Sequence, residues 1–163
     1  MTSPHSTIDP REFRNTLGRF ATGITVITTH QQGEIIGMTA NAFISVSLEP
    51  PLILVSVDKK AHMHQALLQA ERYGVSMLAE GQQSLSNHFA GRPENHADVR
   101  FEERHGMPVV AGSIAYIVAR IVEAHPAGDH TLFIGEVEFL EHRPGNPLLY
   151  YGGQYRHLPG END

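Results

Sequence analysis

Gly37-Met38-Thr39-Ala40-Asn41-Ala42-Phe43-Ile44-Ser45-Val46-Ser47-Leu48-Glu49-Pro50-Pro51-Leu52-Ile53-Leu54-Val55-Ser56-Val57 puts small and hydroxyl-bearing residues where a buried strand pair ordinarily carries bulk. The run predicts two strands, a first ending near Ala42 and a second over residues 52–57. The second is so continuously apolar that burial on both faces is expected. Between them Thr39, Asn41, Ser45 and Ser47 offer hydroxyl and amide groups, while Pro50-Pro51 withdraws two backbone donors and fixes the turn. Space left by small side chains and lined with hydrogen-bonding groups suits a flat ligand lying along exposed backbone.

Outward from this run the chain reads as one β-rich domain over residues 9–158, between a loose arm at 1–8 and a tail at 159–163. Asp9-Pro10-Arg11-Glu12 is a helix start, with Asp9 as N-cap, Pro10 at the first helical position and Glu12 reaching back as in a capping box. Phe13, Leu17 and Phe20 share one face of that helix, Gly23 is placed to stop it, and its expected role is packing. Residues 24–29 and 34–42 form a hairpin about Gln31-Gln32-Gly33. Downstream, a helix is expected over 61–70, a strand over 73–78 and a short helix over 83–89 ending at Gly91. Residues 92–108 are polar and weakly periodic, and read as a surface excursion and candidate lid. Strands over 113–124 and 131–140 and a short one over 148–151 complete the pattern, with no internal repeat. Few helices beside six or seven strands predict a mainly β fold, a closed or half-open antiparallel barrel with peripheral helices over its ends.

Composition narrows the function. At 163 residues the chain holds one sizeable core, and 40% hydrophobic residues with 15 Gly and 10 Pro suit a turn-rich globular domain. Twelve Lys and Arg against 18 Asp and Glu give a net charge of −6, so no nucleic-acid footprint is expected. With no Cys, disulfides, thiolate metal sites and cysteine nucleophiles are excluded. No stretch is long and apolar enough to span a membrane and the first residues lack a secretory pattern, so a cytoplasmic protein without a membrane partner is expected.

Neither a Gly-x-Gly-x-x-Gly turn after a strand nor a P-loop is present, so a nucleotide must be held another way. Ser56-Val57-Asp58-Lys59-Lys60 leading into the helix at Ala61 offers amide donors, a helix N-terminus and two ammonium groups suited to a phosphate; solvated lysines are the plain alternative. Phe89-Ala90-Gly91-Arg92 ends a helix, with Arg92 able to clamp an anion and Phe89 otherwise simply core. Gly128-Asp129-His130 is a turn whose histidine is unremarkable by itself. Tyr150-Tyr151-Gly152-Gly153-Gln154-Tyr155 offers rings that stack on a flat heterocycle or form an amphipathic barrel edge. His62 and His64 point apart on a helix and no third ligand lies nearby, so no metal is expected.

Four of these segments, Phe20-Ala21-Thr22-Gly23-Ile24-Thr25-Val26, the 37–57 run, Phe89-Ala90-Gly91 and Gly128-Asp129-His130, resemble in order the flavin reductase family of short NAD(P)H:flavin oxidoreductases. The likeness extends from about Phe13 to about Tyr155. It implies an FMN-binding split β-barrel and a homodimer, in which NADH or NADPH passes a hydride to FMN or FAD without an acid–base pair. The reduced flavin then diffuses to a separate monooxygenase. On the family pattern Met38, Thr39, Ala40, Asn41, Ser45 and Val46 meet the flavin, and Ser56, Val57, Asp58, Lys59, Lys60 and Ala61 its phosphate side. Phe89, Ala90 and Arg92 add a second phosphate or adenosine contact, His130 orients the nicotinamide, and Tyr151 walls that pocket. The chain departs from the family at Ala61-His62-Met63-His64, where relatives usually carry Ser and then Thr, so His62 either takes the place of a hydroxyl contact or plays no part. Two other readings stay open: a module that stores or senses flavin without turnover, and a flavin-mediated reductase of a corrin or iron complex.

Overall fold

The computed structural model describes residues 7–92 and 97–160. The predicted arm falls almost wholly outside the described residues, as do the last three residues of the tail and residues 93–96 of the predicted excursion.

Helix α1 (Pro10–Leu17) begins as expected, with the Asp9 carboxylate accepting from Arg11 N at 2.8 Å and Pro10 in the first turn. It stops earlier than expected. Gly18 is its C-cap, Gly23 belongs to the two-residue strand β1 (Thr22–Gly23), and no side chain of α1 is buried. Strands β2 (Thr25–Gln31) and β3 (Glu34–Ala40) form the predicted hairpin, turning through Gln32 and Gly33, both at positive φ. The stretch that suggested two strands holds parts of three, because β4 (Phe43–Leu48) pairs antiparallel with β5 (Pro51–Asp58) across Pro50. β5 is also less enclosed than its composition suggested: Ile53, Val55 and Val57 are buried while Leu52, Leu54, Ser56 and Asp58 are half-open. One face belongs to the core and the other is left for something else to cover.

Helix α2 (His62–Gln69) lays Met63, Ala66 and Leu67 on the sheet, and β6 (Arg72–Met77) and α3 (Gln83–Phe89) follow at their predicted places. The polar segment before Pro108 is more ordered than a lid. It carries the hairpin β7 (Phe101–Arg104) and β8 (Met107–Val110), and all four residues of β8 are buried, with Thr28 Oγ1 donating to Pro108 O. Strands β9 (Ala115–Ala127) and β10 (His130–His142) run further toward each other than expected and turn through only Gly128-Asp129. After β11 (Leu148–Tyr151) a last strand, β12 (Gln154–His157), folds back on it across Gly152-Gly153.

Seven strands make one antiparallel sheet in the order β3-β2-β6-β9-β10-β5-β4, while β1-β11-β12 and β7-β8 are separate small sheets. β3 and β4 remain the two ends of the large sheet, which therefore stays open: a split barrel. The main core lies between α2 and the sheet, around Ile27, Val55, Tyr73, Val75 and Phe133. A second core, with Val26, Leu78, Leu85, Val110 and Leu148, joins α3, β8 and β11 to the back of β2.

Candidate functional site

Three distant pieces of chain meet at one corner of the sheet. β5 pairs with β10 so that Asp58 lies opposite His130, Val57 opposite Thr131 and Ser56 opposite Leu132. On its other side Ser56 N donates to Ala42 O at 3.0 Å. Asn41-Ala42, Ser56 to Asp58 and His130 thus form one continuous strip. Lys59 N donates to Asp129 O at 2.9 Å, Ala61 N to Asp58 O at 2.9 Å and Lys60 N to Asp58 Oδ1 at 2.8 Å. These bonds turn β5 into α2 and leave Lys59, Lys60 and His62 exposed. Ala61, the N-cap of α2, has no side chain to satisfy the first amides, so the positive end of the helix is uncapped beside two ammonium groups.

His130 Nδ1 lies 2.7 Å from Asp129 Oδ1. An ionised carboxylate only accepts, so Nδ1 carries the proton and Nε2 is the nitrogen left for another partner. The hydrogen bond from His130, then its charge, and more weakly Lys60, hold the Asp129 carboxyl below the ordinary range. His64 has a structural role: Nε2 meets Thr131 Oγ1 at 2.8 Å and the ring sits edge-on to Phe133. Among the described residues no three of His, Asp and Glu are grouped as a metal would require.

At the β3 end, Met38 and Thr39 are half-buried and Ala40 is buried, while Asn41 is exposed. Thr39 Oγ1 donates to Ser86 O at 2.6 Å, so its proton holds α3 against the sheet and only its lone pairs remain. The room above Gly37 is taken by Phe89: a methyl group added to Gly37 would lie 2.7 Å from that ring. Phe89 also packs on Phe101, at 6.0 Å between centroids. Ala90 and Arg92 are exposed beyond it, after Gly91 at φ +81°. Ser45 and Val46 lie on exposed β4, Val46 falling at the register shift between Ser45 and Ser47.

Tyr151 stands across from Asn41. A cleft of about 1060 Å³ separates α1 from the β11–β12 hairpin and is lined by both residues. Arg19 Nη1 donates to Tyr151 OH at 3.2 Å. Tyr155 does not face this cleft. Its ring lies edge-on to Tyr150, and its hydroxyl bonds Ser86 Oγ at 2.8 Å and donates to Asn87 Oδ1 at 3.0 Å, tying the hairpin to α3. A smaller hollow of about 340 Å³ shares Phe20, Thr22 and Asn41 with the cleft. Thr22 lines both, and its Oγ1 is buried without a hydrogen-bond partner among the described residues.

The fold thus brings together the 37–46, 56–62 and 128–130 segments, and Asn41 joins them to Tyr151. Phe89 is drawn into packing. Sequence reading missed Thr22, Arg19 and the part of α1 in the cleft because α1 was expected to be spent on the core. The signal was available in residues 20–26, a segment of small residues ahead of a strand.

The flavin reductase like domain family matches residues 17–159. An NADH-dependent flavin reductase of Rhodococcus sp is 44% identical over 154 residues, covering 93% of this chain and 88% of the relative. The reductase subunit HsaB of a flavin-dependent monooxygenase from Mycobacterium tuberculosis is 38% identical, covering 94% and 85%. Among solved structures, the flavin reductase PheA2 in its native state superposes with a TM-score of 0.90 at 48% identity, covering 94% of this chain and 100% of that one.

Proposed function

The chain belongs to the flavin reductase-like family, and from that premise we infer that it is an NADH-dependent flavin reductase that supplies reduced flavin to a separate monooxygenase. The observation that carries the assignment of roles is the strip in which Asn41-Ala42, Ser56 to Asp58 and His130 are joined by strand pairing beside the half-open face of β5. A flat ring laid on that face covers Leu54 and Ser56 beside Ile44, the cross-strand partner of Leu54, and Asn41 at the end of the strip offers an amide to its polar edge. The lone pairs of Thr39 add an acceptor suited to the polar edge of an isoalloxazine.

The flavin, once bound, supplies the electron chemistry of accepting a hydride. The chain's part is to bind, orient and exclude water. Lys59, Lys60 and the uncapped amides of α2 hold the phosphate end. Arg92 serves the far side of the same cofactor. Asp129 fixes the His130 tautomer, and Nε2 accepts a hydrogen bond from the nicotinamide carboxamide, setting the reductant ring over the flavin. Tyr151 closes the opposite wall.

The functional unit is a homodimer with the flavin near the subunit boundary, a reading supported by the exposed apolar residues Ile44, Val46 and Leu48 of β4. The working compartment is the cytoplasm. Among the described residues no helix is long and apolar enough to cross a membrane.

Anaerobic titration with NADH against FMN, FAD and riboflavin tests the reading: the protein oxidises NADH only when a flavin is present. Failure of every combination in well-folded protein would leave a flavin-binding module without turnover.

A further inference from the structure

We propose that Tyr155 is a positioning residue for the reaction: its phenol fastens the β11–β12 hairpin, and with it Tyr151, to the turn of α3 that also holds Thr39, so that the wall opposite the flavin strand keeps a fixed distance from it. The proposal rests on the flavin reductase reading and deepens it.

Two consecutive residues of α3 carry the fastening. Ser86 is fully buried, and its carbonyl accepts from Ala90 N at 3.1 Å and from Thr39 Oγ1 of β3 at 2.6 Å. Its hydroxyl lies 2.8 Å from Tyr155 OH, which donates to Asn87 Oδ1 at 3.0 Å. A phenol has one proton and Asn87 takes it, so Tyr155 accepts at the other contact and Ser86 Oγ is the donor. Ser86 thus reaches the flavin strand through its carbonyl and the hairpin through its hydroxyl. Asn87 O accepts from Arg92 N at 3.0 Å, which hangs the start of the Arg92 segment on the same turn.

Without this grip the hold on the hairpin weakens toward Tyr151. Leu148 is buried and its N donates to Leu78 O at 3.0 Å, but β11 meets β1 over only two pairs, Thr22 with Tyr150 and Gly23 with Leu149, and β12 is the edge of that small sheet. The tip is bonded by Gly152 N to Gly18 O at 2.9 Å, yet Gly18 caps α1, a helix none of whose side chains is buried. Tyr155 refers the hairpin to the interior instead: it packs against the second core, edge-on to its cross-strand partner Tyr150. Tyr151 follows Tyr150 directly, and successive side chains of a strand alternate faces, so the face that grips α3 sets Tyr151 out on the other. Hydride transfer is sensitive to displacements of about 1 Å, so a wall that drifts costs rate.

Tyr155→Phe removes the hydroxyl and keeps the ring, while Ser86→Ala removes the same bond from the helix side and leaves the carbonyl to Thr39. Wild type, both single variants and the double variant are compared by flavin titration, by the limiting rate of flavin reduction at saturating NADH in anaerobic stopped flow, and by amide hydrogen exchange of residues 148–157 in the flavin-free protein. Each single variant is expected to lower the limiting rate roughly two- to tenfold, the worth of one hydrogen bond, with flavin affinity unchanged. Exchange quickens in the hairpin and not in β9 and β10. The double variant loses no more than the worse single one, since both ends belong to one bond. Limiting rates equal to wild type overturn the proposal whatever the Tm, because a bond serving stability alone would leave them there. Losses that multiply in the double variant, or flavin affinity falling in parallel with the rate, overturn it as well. Should Tyr155→Phe not fold, Ser86→Ala decides by the same rate and exchange criteria. If wild type reduces no flavin, the reductase reading falls separately and exchange decides the fastening: hairpin amides quickened in the variants uphold it, and amides unmoved overturn it.

Discussion

Asp129 sets the chemistry of His130 by occupying Nδ1, and its carboxylate persists as the acceptor into acid because the Asp129 carboxyl is held below its ordinary pKa. The sign is that of a lowered acid. The interaction is fully present above the usual carboxylate value of roughly 3.9 and is lost only as pH falls through the lowered one. Asp129 therefore contributes no pH dependence near neutrality, and the loss of its carboxylate acceptor is confined to below about pH 4. His130→Ala is expected to leave flavin affinity and fold unchanged while lowering kcat/KM for NADH several-fold to about tenfold, the range of one hydrogen bond of about 0.5–1.5 kcal/mol. Stopped-flow reduction against NADH concentration, beside a flavin titration, reads both quantities. Weaker flavin binding alone would place His130 on the wrong side of the stack. The turn that carries this residue was legible in the sequence because it is short and local, whereas the histidine itself was marked only by the family resemblance. The packing of Phe89 was not legible, since its place over Gly37 depends on α3 crossing β3, a contact between segments far apart in the chain.

Among the elements, the strands with plain alternation or continuous apolar character were found in the sequence, and the ones missed share a physical cause. β4 mixes serines with aliphatic residues and stands at the sheet edge, so neither pattern of burial marks it. β8 contains a proline, tolerated because it belongs to a two-stranded ribbon, and β12 is four residues long after two glycines. β10 holds a feature no propensity announces. At the register shift between Ile134 and Gly135, the buried Tyr73 ring lies so close that a methyl group on Gly135 would stand 2.8 Å from its hydroxyl and 2.7 Å from Ala119 Cβ. Burial raises the Tyr73 pKa, keeping the phenol neutral to donate to Phe133 O at 3.1 Å. Gly135→Ala is expected to cost roughly 1–3 kcal/mol through overpacking, read as a lowered Tm. An unchanged Tm would mean that β9 and β10 slide apart at no cost.

For the whole molecule, the large sheet ends in an edge strand that is apolar and open, with Ile44 at 57% and Leu48 at 94% exposure. An edge of this kind in a lone protomer invites association. Sedimentation at micromolar concentration is expected to give a dimer, and Leu48→Asp to shift it toward monomer with weaker flavin binding; a wild-type monomer that still holds flavin would refute the arrangement. The order β3-β2-β6-β9-β10-β5-β4 has a kinetic side as well. Local hairpins such as β2–β3 and β9–β10 close short loops and form early, whereas the β5–β10 seam, which sets Asp58 beside His130, must wait for a long loop to close. The corner proposed for the cofactors is thus stitched by a late seam, so during refolding ligand capture should trail the return of far-ultraviolet ellipticity. A chain still being completed would then hold no reduced flavin to spill onto oxygen.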